Sequence, residues 1–175
     1  ETEVLKDHII IVGYGLNGRN VARSARAAGV LYRIIEMNPD TVRDERKKGE
    51  FISYGDAAQP EVLEKAGVCT ARILVVVVND PFATQQTVRL ARSMNPGLYI
   101  IARTRYMGEV ATLIDLGADD VIPEEFETSI EIFTRILHKY LIPEDEIERL
   151  IHDIRSGGYQ MLRSASTGPV TVDDL

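Results

Sequence analysis

The chain has 175 residues, 45% of them apolar, and a formal net charge of −7, which suits one domain with an appendage. That acidic balance, with no basic stripe interleaved with aromatics, excludes a nucleic-acid partner. The longest apolar run, Ile73 to Val78, falls far short of the ~20 residues that span a bilayer.

Apolar runs of strand length alternate with helix-like segments along most of the chain. The first strand is predicted at His8–Val12, followed by a helix over Arg19–Ala28 that Gly29 ends. The second strand is Leu31–Glu36, and Pro39 then starts a helix that Gly49 closes. A third strand, Phe51–Tyr54, precedes a helix over Pro60–Ala66 closed by Gly67. Ile73–Val78 is apolar throughout, as a central parallel strand must be. Asp80-Pro81 caps a helix to about Met94, strand Leu98–Ala102 follows, and a helix over Met107–Leu116 leads to strand Asp120–Ile122. These six β/α units predict a Rossmann-like α/β fold: a doubly wound, six-stranded parallel sheet in the order 3-2-1-4-5-6.

A C-terminal helical extension is expected beyond that sheet. Pro123 opens a long helix to about Ile142, and Pro143 breaks it. A second amphipathic helix starts near Glu144, where three acidic residues suit the positive end of the helix dipole. Gly157-Gly158 interrupts its pattern, which resumes over Tyr159–Arg163. The expected organisation is therefore a nucleotide-binding domain over 1–142, a helical extension over 143–163 and a disordered tail over 164–175. Helices that project past a completed sheet must bury their apolar stripes. A symmetric partner chain would do this; the alternative is that they fold back on their own sheet. The first residue is Glu1, as expected of a piece of a longer polypeptide, and no secretory leader is recognisable. The single cysteine, Cys69, cannot form an internal disulfide and reads as a small filler near a loop.

The chemistry concentrates at Gly13-Tyr14-Gly15-Leu16-Asn17-Gly18, where three glycines fall in the spacing G-x-G-x-x-G between a strand and a helix. Gly13 allows the tight turn, Gly15 lets backbone approach phosphate, and Gly18 lets the helix pack on the strand. The amides of the helix start then face an anion. Glu36 ends the second strand about 20 residues on, where a carboxylate accepts ribose hydroxyls and repels a 2′-phosphate. NAD(H), AMP, ADP or ATP therefore fit better than NADP. Met37 and Asn38 adjoin this acid, and Asn38 serves either the ribose or a helix cap. Asp56 and Ala57, after the third strand, are expected at the adenine edge. Asn79 and Asp80 follow the fourth strand at the point where strand order reverses, and Asp80 also reads as a helix N-cap. Arg103 faces the same mouth and could pair with a phosphate or with Glu125; Arg19 is another candidate phosphate partner.

A dehydrogenase would need a substrate domain and a general acid or base beside the nicotinamide. Only about fifty residues follow the sixth strand, and His8, His138 and His152 are predicted away from the strand carboxyl ends. No Tyr-x-x-x-Lys relay and no metal-ligand spacing appear. The sequence thus favours a nucleotide acting as an effector, with a small NAD-dependent oxidoreductase, or a fragment of one, as the alternative.

Residues 7 to about 163 resemble the RCK family (regulator of K⁺ conductance, also called TrkA-N or KTN domains). The resemblance lies in His8 through Gly18, Glu36 with Asn38-Pro39, Tyr54-Gly-Asp-Ala57, Val75 through Pro81, Ile101-Ala-Arg103 and Leu116 through Glu125. The stretch Glu144 to Arg163 is similar to the segment after the Rossmann lobe of Kef-type cation/proton antiporters. The resemblance implies a non-enzymatic regulatory domain at the cytoplasmic face of the plasma membrane. It would bind NAD(H) or an adenine nucleotide and control potassium transport through a fused or associated membrane transporter or channel. It implies a homodimer or a higher RCK assembly, with the helix from Pro123 crossing between subunits. Glu36 matches the family's ribose-binding acid and Asp56 its adenine-side acid. The smaller C-terminal ligand lobe of many members is absent, and no glutathione-binding set is matched.

Overall fold

The computed structural model describes residues 5–164. Six parallel strands form one sheet in the order β3-β2-β1-β4-β5-β6, as the β/α rhythm predicts. They are β1 (Ile9–Val12), β2 (Tyr32–Glu36), β3 (Ile52–Tyr54), β4 (Ile73–Val76), β5 (Tyr99–Thr104) and β6 (Asp120–Pro123). The helices are α1 (Leu16–Ala27), α2 (Pro39–Lys47), α3 (Pro60–Lys65), α4 (Pro81–Met94), α5 (Val110–Asp115), α6 (Glu124–Lys139) and α7 (Glu144–Ser164). A short 3₁₀ turn over Met107–Glu109 precedes α5.

The described residues divide into two compact units: those up to Thr104 with Thr112–Ile122, and Arg105–Ala111 with those from Pro123 to Ser164. In the first, β1 is flanked by β2 and β4, with Ile11 opposite Ile34 and Val75, and Val12 opposite Ile35 and Val76. Ile10, Ile11, Ile34, Leu74, Val76 and Ile100 are fully buried, because parallel strands are covered on both faces. On one face Ile11 and Ile34 pack with Tyr14, Ala22, Ala25, Tyr32, Val42 and Ile52. His8 is also fully buried, its Nε2 donating to the Ala66 carbonyl at 2.8 Å. Proline at the first turn starts α2, α3 and α4, where its missing N–H costs nothing.

Several boundaries differ from the sequence expectation. α1 starts at Leu16, not Arg19, so Gly18 lies inside its first turn. β4 ends at Val76, since its ladder partner β1 stops at Val12. Cys69 is exposed rather than a filler, its Sγ 3.9 Å from the Met94 carbonyl. In the second unit α6 ends at Lys139, three residues before the expected stop. Leu141 takes a left-handed conformation (φ 56°), and the Ile142 amide reaches back to the Leu137 carbonyl at 3.2 Å, a helix-closing turn usually given to glycine. α7 runs through Gly157 and Gly158 without a break. α6 and α7 pack together, burying Ile130 and Ile147, and Arg155 Nη2 donates to Glu127 Oε2 at 2.6 Å. Of the expected tail over 164–175, Ser164 is the last residue of α7, and 165–175 lie outside the described residues.

Candidate nucleotide site

The three glycines of the first turn do three different things. Gly13 has φ 99°, and a Cβ there would stand 3.0 Å from Val78 Cγ1. A Cβ on Gly18 would collide with the carbonyl oxygen of Gly13. Gly15 has no atom within 4 Å of its Cβ position and ordinary dihedrals (φ −72°). Neither strain nor crowding demands glycine there, so the open space in front of it is what glycine keeps clear. Gly15 is also the N-cap of α1, and it has no side chain to satisfy the first-turn amides of Leu16, Asn17 and Gly18. No acidic residue lies in that turn. This is a helix start left open to an anion.

Glu36, at the carboxyl end of β2, leans across to this turn. Its Oε2 accepts from the Tyr14 amide at 2.7 Å, and its Oε1 accepts from the Asn38 amide at 2.8 Å. Each carboxylate oxygen keeps a further lone pair. A small crevice of about 70 Å³ lies between Gly13, Glu36, Met37, Asp56, Ala57 and Val78. Asp56 is held by an Asx turn, Oδ1 accepting from the Ala58 amide at 2.9 Å. Gly55 beside it admits no side chain, since a Cβ would stand 2.8 Å from Val62 Cγ1.

Two other predicted residues serve helix starts. Asn38 Oδ1 accepts from the amides of Asp40 and Thr41, both at 3.0 Å. Asp80 Oδ1 caps α4, accepting from the amides of Phe82 and Ala83 at 2.8 and 3.1 Å. Arg103 reaches from β5 to the loop after β4, donating to the Val78 carbonyl at 3.0 Å and to Asn79 Oδ1. Arg19 donates through Nε to the Tyr14 carbonyl at 3.2 Å and lies over the Tyr14 ring. The side chains of Leu16, Asn17 and Met37 are exposed. Glu125 is exposed on α6, in the second unit.

Nothing in the sequence marks what lies under the turn. The Tyr14 ring is buried in the α1–β2 core, and its hydroxyl donates to Glu50 Oε2 at 3.0 Å. Glu50 also accepts from the Tyr32 hydroxyl at 2.6 Å, the Phe51 amide at 3.1 Å and Arg26 Nη2 at 2.8 Å. Burial pushes the Glu50 carboxyl up, but these donors outweigh it and hold it below its ordinary value. Burial, then the bond to Glu50 and its negative charge, push Tyr14 up to about 12. Tyr14 and Tyr32 lie 36 and 18 residues before Glu50, and no periodicity marks contacts at those distances along the chain.

A larger cavity, about 700 Å³, opens at the amino ends of β2 and β3. Volume alone would favour it, but the helix start, the open space at Gly15 and the carboxylate all meet at the strand carboxyl ends, where open α/β sheets bind ligands. Among the described residues no His/Cys/Asp/Glu group could hold a metal, and no helix is long and apolar enough to cross a membrane.

The chain is similar to several known proteins. It is 32% identical over 168 residues to a putative K⁺ efflux antiporter, KefB, of Alkalimonas amylolytica, covering 96% of this chain and 25% of the antiporter. The chain thus spans about a quarter of that relative's length. The TrkA-N domain of the Escherichia coli inner membrane protein ybaL superposes with a TM-score of 0.71 at 29% identity, covering 74% of this chain and 96% of that one. The Kef C-terminal domain of Shewanella denitrificans in its AMP-bound form superposes with a TM-score of 0.77 at 26% identity, covering 91% and 97%. The TrkA-N domain family matches residues 9–124, and to that family this chain belongs.

Proposed function

We propose that this chain is the regulatory part of a Kef-type potassium-efflux system, and that it binds an adenine nucleotide as an effector. The observation that carries this is the uncapped start of α1, with open space at Gly15 and the Glu36 carboxylate beside it. The antiporter relative and the AMP-bound Kef domain support the same reading. In it, the amides of Leu16, Asn17 and Gly18 face the phosphate. Glu36 accepts the ribose hydroxyls with its remaining lone pairs, and Asp56 and Ala57 flank the adenine. Met37 and Asn38 border the ribose, while Asn79, Asp80 and Arg103 belong to the far end of the ligand.

The role is binding rather than catalysis: occupancy shifts a conformational equilibrium by the difference in affinity between two states. The organisation we propose is a nucleotide domain over 1–142 with a helical extension over 143–163. The chain works as a homodimer whose contact includes bare Ile132 and Ile136 on α6 and Tyr140 just past its end, 57%, 51% and 77% exposed.

A melting series with AMP, ADP, ATP, NAD⁺ and NADH tests the ligand, since a tight ligand raises the midpoint by mass action. AMP is expected to give a clear rise; a chain that none of the five stabilises refutes the proposal. Light scattering at micromolar concentration is expected to return twice the 19.5 kDa chain mass, with Ile136→Glu reverting it to monomer.

A further inference from the structure

The 700 Å³ cleft at the amino ends of β2 and β3 lies at the opposite end of the strands from Gly15 and Glu36. Its volume falls within the range of small-molecule sites. Val30, Leu31 and Phe51 line it and stay 41%, 57% and 67% exposed. Phe51 also stands edge-on to the Tyr32 ring, with centroids 6.3 Å apart. Three large apolar side chains left bare around one cleft are a lining that an apolar ligand body can cover.

The charges around the same cleft run against the balance of the whole chain. Among the described residues, Arg26, Arg33 and Arg46 line it against one carboxylate, Glu50, in a chain whose net charge is −7. That carboxylate side chain is only 7% exposed, and the two tyrosines, the Phe51 amide and Arg26 already answer it. The guanidiniums are positioned by the fold. Arg46 Nε donates to the Ile52 carbonyl at 2.8 Å, Arg33 Nη1 to the Lys65 carbonyl at 3.0 Å, and Arg26 Nη2 to the Tyr32 hydroxyl at 2.8 Å. Held donors bind an anion at lower entropic cost than mobile ones.

We propose that this cleft is a second ligand site, for an amphipathic organic anion. The ligand carries a carboxylate or sulfonate on an alkyl or aryl body. The acid seats among Arg26, Arg33 and Arg46, and the body lies against Val30, Leu31 and Phe51. Apolar burial supplies affinity and the guanidiniums select the charge.

The probe is anilinonaphthalene sulfonate, followed by fluorescence with and without saturating AMP. Leu31 is more than half exposed, so Leu31→Glu and Leu31→Lys should both fold, which a melting curve verifies. Leu31→Glu is expected to weaken the probe about ten-fold or more through like-charge repulsion, and Leu31→Lys to keep it. Equal effects of the two substitutions, no effect of either, or displacement of the probe by AMP would overturn the site. Titrations without AMP decide this whether or not AMP binds, so the cleft and the nucleotide crevice are judged separately.

Discussion

The main-chain amide of Tyr14, the central residue between Gly13 and Gly15, donates to the Glu36 carboxylate at 2.7 Å. One side chain thereby holds the glycine turn in place and faces the crevice beside it. The turn is pre-set by the group that would grip a ribose, which lowers the ordering cost of binding.

Glu36→Ala should therefore reduce AMP affinity about a hundred-fold, the scale of losing two charge-assisted hydrogen bonds. Glu36→Gln, which keeps one acceptor oxygen, should fall between. Calorimetric titration measures both, and unchanged affinity in Glu36→Ala would falsify the ribose assignment.

Gly15 and Gly18 should respond in opposite ways to a side chain. The Cβ of Gly15→Val meets no protein atom within 4 Å, and the backbone there is ordinary extended chain. The variant's melting midpoint should stay near that of the parent while AMP binding drops. Gly18→Ala drives a methyl into the Gly13 carbonyl and should cost about 1–3 kcal/mol, the range of overpacked sites. Urea titration beside calorimetry separates the two outcomes.

The Tyr14–Glu50 contact predicts a pH signature at both ends of the scale. Tyr14 is pushed up from 10.0 to about 12. Its stabilisation is complete below pH 10 and is lost as pH rises from there toward 12, by about 2 kcal/mol. Glu50 is held below 4.5, so its stabilisation is present above that value and is lost as pH falls through the folded-state value. Tyr14→Phe should flatten the alkaline loss in urea midpoints between pH 10 and 12. The flattening is partial, because burial and the Glu50 bond raise Tyr32 as well.

Leu141 holds a left-handed conformation while 88% exposed. Leu141→Gly relieves that strain without removing packing and should stabilise the helical unit by up to about 1 kcal/mol. Thermal unfolding would show it, and a lower midpoint in Leu141→Gly would mean that the leucine side chain matters.

The sheet order was legible because each of its units is marked locally. Pro39, Pro60 and Pro81 announce helix starts, and apolar runs such as Ile73 to Val76 announce strands buried on both faces. The glycine turn and Glu36 were legible because their spacing is the geometry of a strand, a tight turn and a helix. The buried Tyr14–Glu50–Tyr32–Arg26 network was not, since tertiary packing alone brings Glu50 to Tyr14. The end of α6 was also missed. Pro143 locates the break, but nothing local says that Leu141 will take a conformation usually left to glycine. α7 continues through Gly157 and Gly158, at a propensity loss of about 1 kcal/mol per glycine that ends no helix by itself.

Of the three glycines in the turn, two are claimed by the protein's own atoms and one by empty space. Architecture and occupancy are thus written at separate positions, a few residues apart. A cell carrying valine at position 15 would hold a correctly assembled but ligand-deaf copy, and against it any physiological effect of the nucleotide can be told from mere loss of the domain.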